Sequence, residues 1–285
     1  MIIFRIMILA FTFVFFFPHP AEAAKKRTVR LVYVEWPCAV VTHNLAKAAI
    51  EERLPQYEVE LIPVSVPLMF QAISTGEAEA TMAAWLPNLH TSYLHNLKGK
   101  ITDLGPLVTG ARLGWVVPDY VPYTSIEDLR GHAAEFKGNI YGIEPGAVYM
   151  DQSAQAIEEY GLEGFTLVES SDAVMVAMLE EAINKNEPVV VTGWAPHWKF
   201  GKWNLHFLAD PKELFGGEEA IHAVGRSGLN NDMPEIYNFL SNFFFTDSVQ
   251  LQRLMAENML QGANEMENAR KFIKENKDQV DIWFK

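Results

Sequence analysis

Between Thr28 and Ala84 the chain alternates strand, helix, strand, helix, strand, and after Arg112 the alternation starts again. That pattern constrains the fold more than any other feature. Strands separated by helices pair in parallel, and the helices cover the sheet. In the first unit, Thr28–Trp36 is rich in β-branched and aromatic residues, and Pro37 opens a helix to about Leu54. Tyr57–Val64 reads as a strand, Val66–Thr75 as a helix stopped by Gly76, and Ala80–Ala84 as a short buried strand delivering Trp85. The second unit runs through strands Arg112–Val117, Ile140–Ile143, Phe165–Val168 and Pro188–Gly193. Its helices are Ser125–Leu129, Tyr149–Tyr160 and Asp172–Asn184.

Two such units predict an α/β protein of two lobes, each a mainly parallel sheet flanked by helices. Ile221–Arg226 reads as a strand returning from the second lobe, followed by helices Pro234–Phe244, Ser248–Gln261 and Glu265–Asn276. The chain then crosses twice, near Gly110–Gly114 and near His222–Gly228. The expected lobes are 24–111 with 223–285, and 112–222. Two neighbouring crossings form a hinge that permits closure around a ligand.

The first 23 residues stand apart. Arg5, the apolar run Ile6–Phe17 and Ala21-Glu22-Ala23 describe an export signal cleaved near Ala23. The run is shorter than the roughly 20 apolar residues of a spanning helix. The mature chain is therefore expected to be soluble and periplasmic. A net charge of −13 argues against nucleic acid, whose phosphates reward a basic surface. The single cysteine, Cys38, allows no internal disulfide and no thiolate zinc site. Cofactor and metal signatures are absent, as are the motifs of serine hydrolases, zincins and P-loop enzymes.

Three tryptophans fall at strand ends, in Val34-Glu35-Trp36-Pro37, Ala84-Trp85-Leu86-Pro87 and Gly193-Trp194-Ala195-Pro196. Ligands of open α/β sheets bind at the carboxyl ends of strands. Facing sheets would bring Trp36, Trp85 and Trp194 to one cleft. Their faces suit a cation with no hydrogen to donate, at about 2 kcal/mol or more per desolvated ring. Trp115, Trp198, Trp203 and Trp283 lie in strand, helical or tail contexts and read as structural or rim residues. An anion subsite would complete a zwitterion. His90 follows Trp85 by five residues, and Gly142-Ile143-Glu144-Pro145-Gly146 turns a strand into a helix. Backbone N–H groups at such a turn bind anions.

The segments Trp85-Leu86-Pro87-Asn88-Leu89-His90, Tyr141-Gly142-Ile143-Glu144-Pro145-Gly146-Ala147 and Thr192-Gly193-Trp194-Ala195-Pro196-His197-Trp198 carry a family resemblance. They resemble the glycine betaine/proline betaine substrate-binding proteins of ABC importers, the OpuAC-like family. The likeness extends over about Val29 to Phe284 and includes Ser125-Ile126-Glu127-Asp128-Leu129 and Phe207-Leu208-Ala209-Asp210-Pro211-Lys212. It implies a two-lobed periplasmic-binding-protein fold, type II-like, working as a monomer beside a membrane permease subunit. It implies a box of Trp36, Trp85 and Trp194 around a trimethylammonium head. It also implies a carboxylate held by His90 and the backbone N–H groups of Gly142 and Ile143.

Choline, carnitine, proline betaine and dimethylsulfoniopropionate share an onium head and remain alternative ligands. Glu35, beside Trp36, would favour a purely cationic one. A sensor-type onium-binding protein is a further reading. A thiol hydrolase using Cys38 with His43 or His90 is the reading from another class.

Overall fold

The computed structural model describes residues 25–285. The expected export signal lies outside the described residues. The first unit comprises β1 (Arg27–Tyr33), α1 (Pro37–Arg53), β2 (Tyr57–Pro63), α2 (Val66–Thr75) and β3 (Ala80–Leu86). β1 pairs in parallel with β2, from Arg27 opposite Tyr57 to Tyr33 opposite Pro63, and with β3 at Leu31 opposite Ala80. β3 is buried at every position, as its unbroken apolar run requires of a strand covered on both faces. Gly76 ends α2 at φ 77°, a left-handed geometry that costs glycine nothing.

The chain continues through α3 (Thr91–Asn96) into a long strand, β4 (Ile101–Pro118). Two 3₁₀ turns, Ile126–Leu129 and Ala133–Phe136, lead to β5 (Asn139–Tyr141), α4 (Val148–Glu159), β6 (Thr166–Val168) and α5 (Asp172–Lys185). Then come β7 (Val190–Ala195), α6 (Lys199–Lys202), β8 (Leu205–Phe207) and β9 (Glu219–Arg226). The tail holds α7 (Leu229–Asp232), α8 (Pro234–Asn242), α9 (Ser248–Asn258), α10 (Glu265–Glu275) and α11 (Lys277–Trp283).

The strands run in the order β2-β1-β3-β9-β4-β7-β5-β6, with β8 beside β4. The parallel pairs are β1 with β2 and β3, and β5 with β6 and β7. Between them, β9 and β4 run antiparallel to their neighbours. β4 joins the halves. Its stretch Ile101–Ala111 pairs with β9, and its stretch Arg112–Pro118 pairs with β7 and β8. The partner change falls inside the expected first crossing. The second crossing differs from expectation. β9 pairs along its length with β3 and the first half of β4. The return therefore occurs between Phe207 and Glu219, not at His222–Gly228.

Trp115 and Trp283 are structural. Both are fully buried, with Nε1 donating to Ser153 Oγ and to the Phe244 carbonyl, each at 3.2 Å. Trp198 and Trp203 pack on each other at 5.8 Å between centroids. No described helix is long and apolar enough to cross a membrane.

Candidate functional site

Trp36 is the N-cap of α1, its N–H bonded to the Val34 carbonyl at 2.7 Å. Trp85 and Trp194 sit inside the last residues of β3 and β7 rather than after them, each two residues before a cis proline, Pro87 and Pro196. The structure brings all three to one cavity with His90 and Ile143. Trp36, Trp85 and Trp194 are 6 %, 2 % and 3 % exposed, so their rings are largely screened from solvent. Trp36 and Trp194 lie 6.5 Å apart at 55°, and Trp36 stacks across from the His90 ring at 6.4 Å and 10°. Screening matters because desolvation strengthens attraction between a ring face and a cation.

Two residues lining this cavity have buried side-chain donors with no partner among the described residues, Trp194 through Nε1 and His90 through Nε2. His90 is fully buried, and its Nδ1 accepts the Trp85 N–H at 3.0 Å. Nδ1 as acceptor places the proton on Nε2. No group of the described residues bonds to Nε2. Burial lowers the His90 pKa to about 3, so the ring is a neutral donor at ordinary pH. A buried donor without a partner is costly unless something in the cavity accepts from it. The loop carrying His90 is held from below. The buried Glu219 carboxylate accepts N–H bonds from Asn88 at 3.2 Å and Leu89 at 2.8 Å.

The Gly142–Ile143 turn departs from expectation. The Gly142 N–H donates to the Val168 carbonyl at 2.9 Å, extending the β5–β6 pairing. It is therefore not free for an anion. A Cβ there would lie 2.5 Å from Met150 Sδ, so a larger residue needs the flexible end of Met150 to move. Ile143 does line the cavity, and its N–H faces only the soft Met150 sulfur at 3.2 Å. Of the two turn donors, Ile143 is the one a stronger acceptor could claim.

Several lining residues carry no pattern that sequence reasoning could have flagged, notably Tyr149, Leu113 and Leu89. The Tyr149 hydroxyl donates to the Gly114 carbonyl at 2.7 Å and accepts the Gly193 N–H at 3.0 Å. These two glycines face each other across β4 and β7, so one hydroxyl fixes the strand that presents Trp194. Behind Trp194, the buried Lys199 ammonium lies 4.5 Å from the ring centroid. Burial lowers its pKa to about 8. Glu35 is exposed and lines a separate groove with Asp172 and Glu265, away from the indoles.

The thiol shows none of the marks of a nucleophile. Cys38 is buried, and burial pushes its pKa up to about 12, whereas reactive cysteines have depressed values. His43 uses both nitrogens on backbone: Nδ1 to the Ala39 carbonyl at 2.7 Å and Nε2 from the Met82 N–H at 3.1 Å.

A family model described as the substrate-binding domain of the ABC-type glycine betaine transport system, OpuAC, matches residues 27–275. The chain belongs to the OpuAC family. Its fold is that family's two-lobed periplasmic-binding-protein architecture. Lactococcal OpuAC, solved closed in complex with glycine betaine, superposes with a TM-score of 0.85 at 35% identity, covering 91% of this chain and 100% of that one. The glycine/betaine/L-proline-binding protein ProX from Borrelia burgdorferi gives 0.86 at 34% identity, over 91% and 97%. GbuC of Listeria monocytogenes (serotype 1/2a, strain 10403S), a glycine betaine/carnitine transport binding protein, is 39% identical over 164 residues. That match spans 57% of this chain and 53% of GbuC, about half the relative's length.

Proposed function

We propose that this OpuAC-family protein captures glycine betaine, or a close zwitterionic relative, and delivers it to the permease of an ABC importer. The trimethylammonium head sits among Trp36, Trp85 and Trp194. The carboxylate accepts from His90 Nε2 and from the Ile143 N–H. The observation that carries this reading is the buried His90 donor, unpartnered among the described residues, in the lining of an aromatic cavity. An aromatic box alone suits any onium; the donor selects those that also carry an acceptor.

Closure would be passive, with lobes of 25–111 plus 219–285 and of 112–218 moving about the β4 partner change and the 208–218 return. The protein would act as an exported, periplasmic monomer without cofactor or turnover. The inert Cys38 supports a binding protein over a thiol hydrolase. Titration calorimetry with glycine betaine, proline betaine, carnitine, choline and dimethylsulfoniopropionate tests the proposal. One-to-one binding with the carboxylates ahead of choline is expected. Choline binding tighter than every zwitterion would refute the paired subsites.

A further inference from the structure

Trp36 belongs to one half of the molecule and Glu144 to the other. Trp36 links β1 to α1, in the half built on β2, β1, β3 and β9. Glu144 follows β5, in the half built on β7, β5 and β6. The Trp36 Nε1–H donates to the Glu144 carboxylate at 2.7 Å, joining residues 108 positions apart. Among the described residues, it is the only side-chain hydrogen bond linking 25–111 and 219–285 with 112–218. No ion pair of the described residues does so.

Both ends of this bond are anchored. On one side the Trp36 N–H is bonded to Val34, and its carbonyl accepts the Val40 N–H at 2.9 Å, so the indole projects from a capped helix start. On the other side the Ser170 hydroxyl donates to the Gly142 carbonyl at 2.6 Å, and the Ser170 N–H donates to the Ile143 carbonyl at 2.9 Å. The turn that carries Glu144 is thereby tied to the segment after β6. A bond between two rigid anchors forms only when the halves are in register. The same indole is a wall of the cavity. Bond and box are therefore completed by one movement.

We infer that Glu144 is a positioning residue: its hydrogen bond to Trp36 latches the two lobes closed and holds Trp36 as a wall of the ligand box. This rests on the onium-binding reading above and adds a residue that does not itself touch ligand. A latch made after encounter acts on ligand escape more than on capture. It raises apparent affinity by raising the closed fraction.

The test compares glycine betaine binding by the wild type, Glu144→Ala, Glu144→Gln, Trp36→Phe and the double variant Trp36→Phe/Glu144→Ala. Calorimetry gives affinity, and release of radiolabelled betaine gives the dissociation rate. Loss of this half-buried acceptor should weaken binding roughly tenfold, mainly through faster release. Glu144→Gln keeps a carbonyl acceptor and should stay within about threefold of wild type. Phenylalanine at position 36 has no N–H to give, so Glu144→Ala should cost nothing further in that background. Equal affinity of wild type and Glu144→Ala overturns the latch and leaves the binding reading intact. So does a Glu144→Ala loss that persists undiminished in the Trp36→Phe background, which would mark a merely structural role. A wild type that binds no onium compound overturns both.

Discussion

Replacing His90 by asparagine isolates the donor on which ligand choice rests. Alanine would be the blunter variant, because it also strands the Trp85 N–H that His90 Nδ1 accepts at 3.0 Å. An asparagine carbonyl can reach the Nδ1 position and keep that bond, while nothing occupies the position of Nε2. The lost interaction is a hydrogen bond from a fully buried group to a carboxylate. Such bonds are worth about 1.5–3 kcal/mol net. At about 1.4 kcal/mol per decade, glycine betaine should bind roughly tenfold to a hundredfold more weakly. Choline offers no carboxylate and should change by less than about threefold on the same scale. Calorimetry on both ligands with both proteins supplies the ratio. General damage to the site would weaken both ligands together. An unchanged betaine-to-choline ratio would therefore refute the assignment of Nε2 as the carboxylate donor.

Other predictions follow from the same geometry. Trp85→Ala removes a ring face worth about 2 kcal/mol in a desolvated site, so onium affinity should fall roughly thirtyfold by calorimetry. Burial holds His43, His90 and His197 at about 4, 3 and 4 in the fold, against 6.5 unfolded. The unfolded chain thus binds more protons between those values. Stability is complete above pH 6.5 and declines as the pH falls toward 4, by up to about 1.4 kcal/mol per pH unit for each histidine. Glu144 and Glu219, raised by burial, oppose this in part. Melts from pH 7 to 4.5 should show a falling midpoint, and a flat one would contradict the buried neutral histidines. A Cβ at Gly193 would lie 2.2 Å from Val116 Cγ2. Gly193→Ala should therefore cost about 1–3 kcal/mol and several degrees of melting temperature.

The sequence was most legible where burial leaves a simple pattern. The apolar runs of β3 and β7 and the periodic helices α1, α2, α4 and α5 were read close to their observed bounds. The first half of β4 was not, because Gly105, Pro106 and Gly110 interrupt it and its pairing with β9 shifts register repeatedly. The second crossing was misplaced because pairing partners are not written in local sequence: β9 pairs with β3 and with that hidden half-strand, both in the first half. Trp36, Trp85, His90, Ile143 and Trp194 do converge on one cavity. Motifs could not reveal which backbone donors are already spent. The Gly142 N–H is committed to Val168, a fact of strand pairing that no local pattern encodes. Tyr149 and Glu219 escaped notice for a related reason, since each acts by bonding backbone brought close only by the fold.

The central claim is that an aromatic box and an adjacent donor select a methylated ammonium carrying a carboxylate. The most direct measurement is calorimetric titration of the intact protein with glycine betaine and with glycine. These ligands share the carboxylate and differ in the three methyl groups that replace N–H donors. The account predicts saturable one-to-one binding of glycine betaine and none measurable for glycine, whose ammonium would lose its hydrogen-bond partners among indole faces. Equal binding of the two, or no binding of glycine betaine, would contradict it.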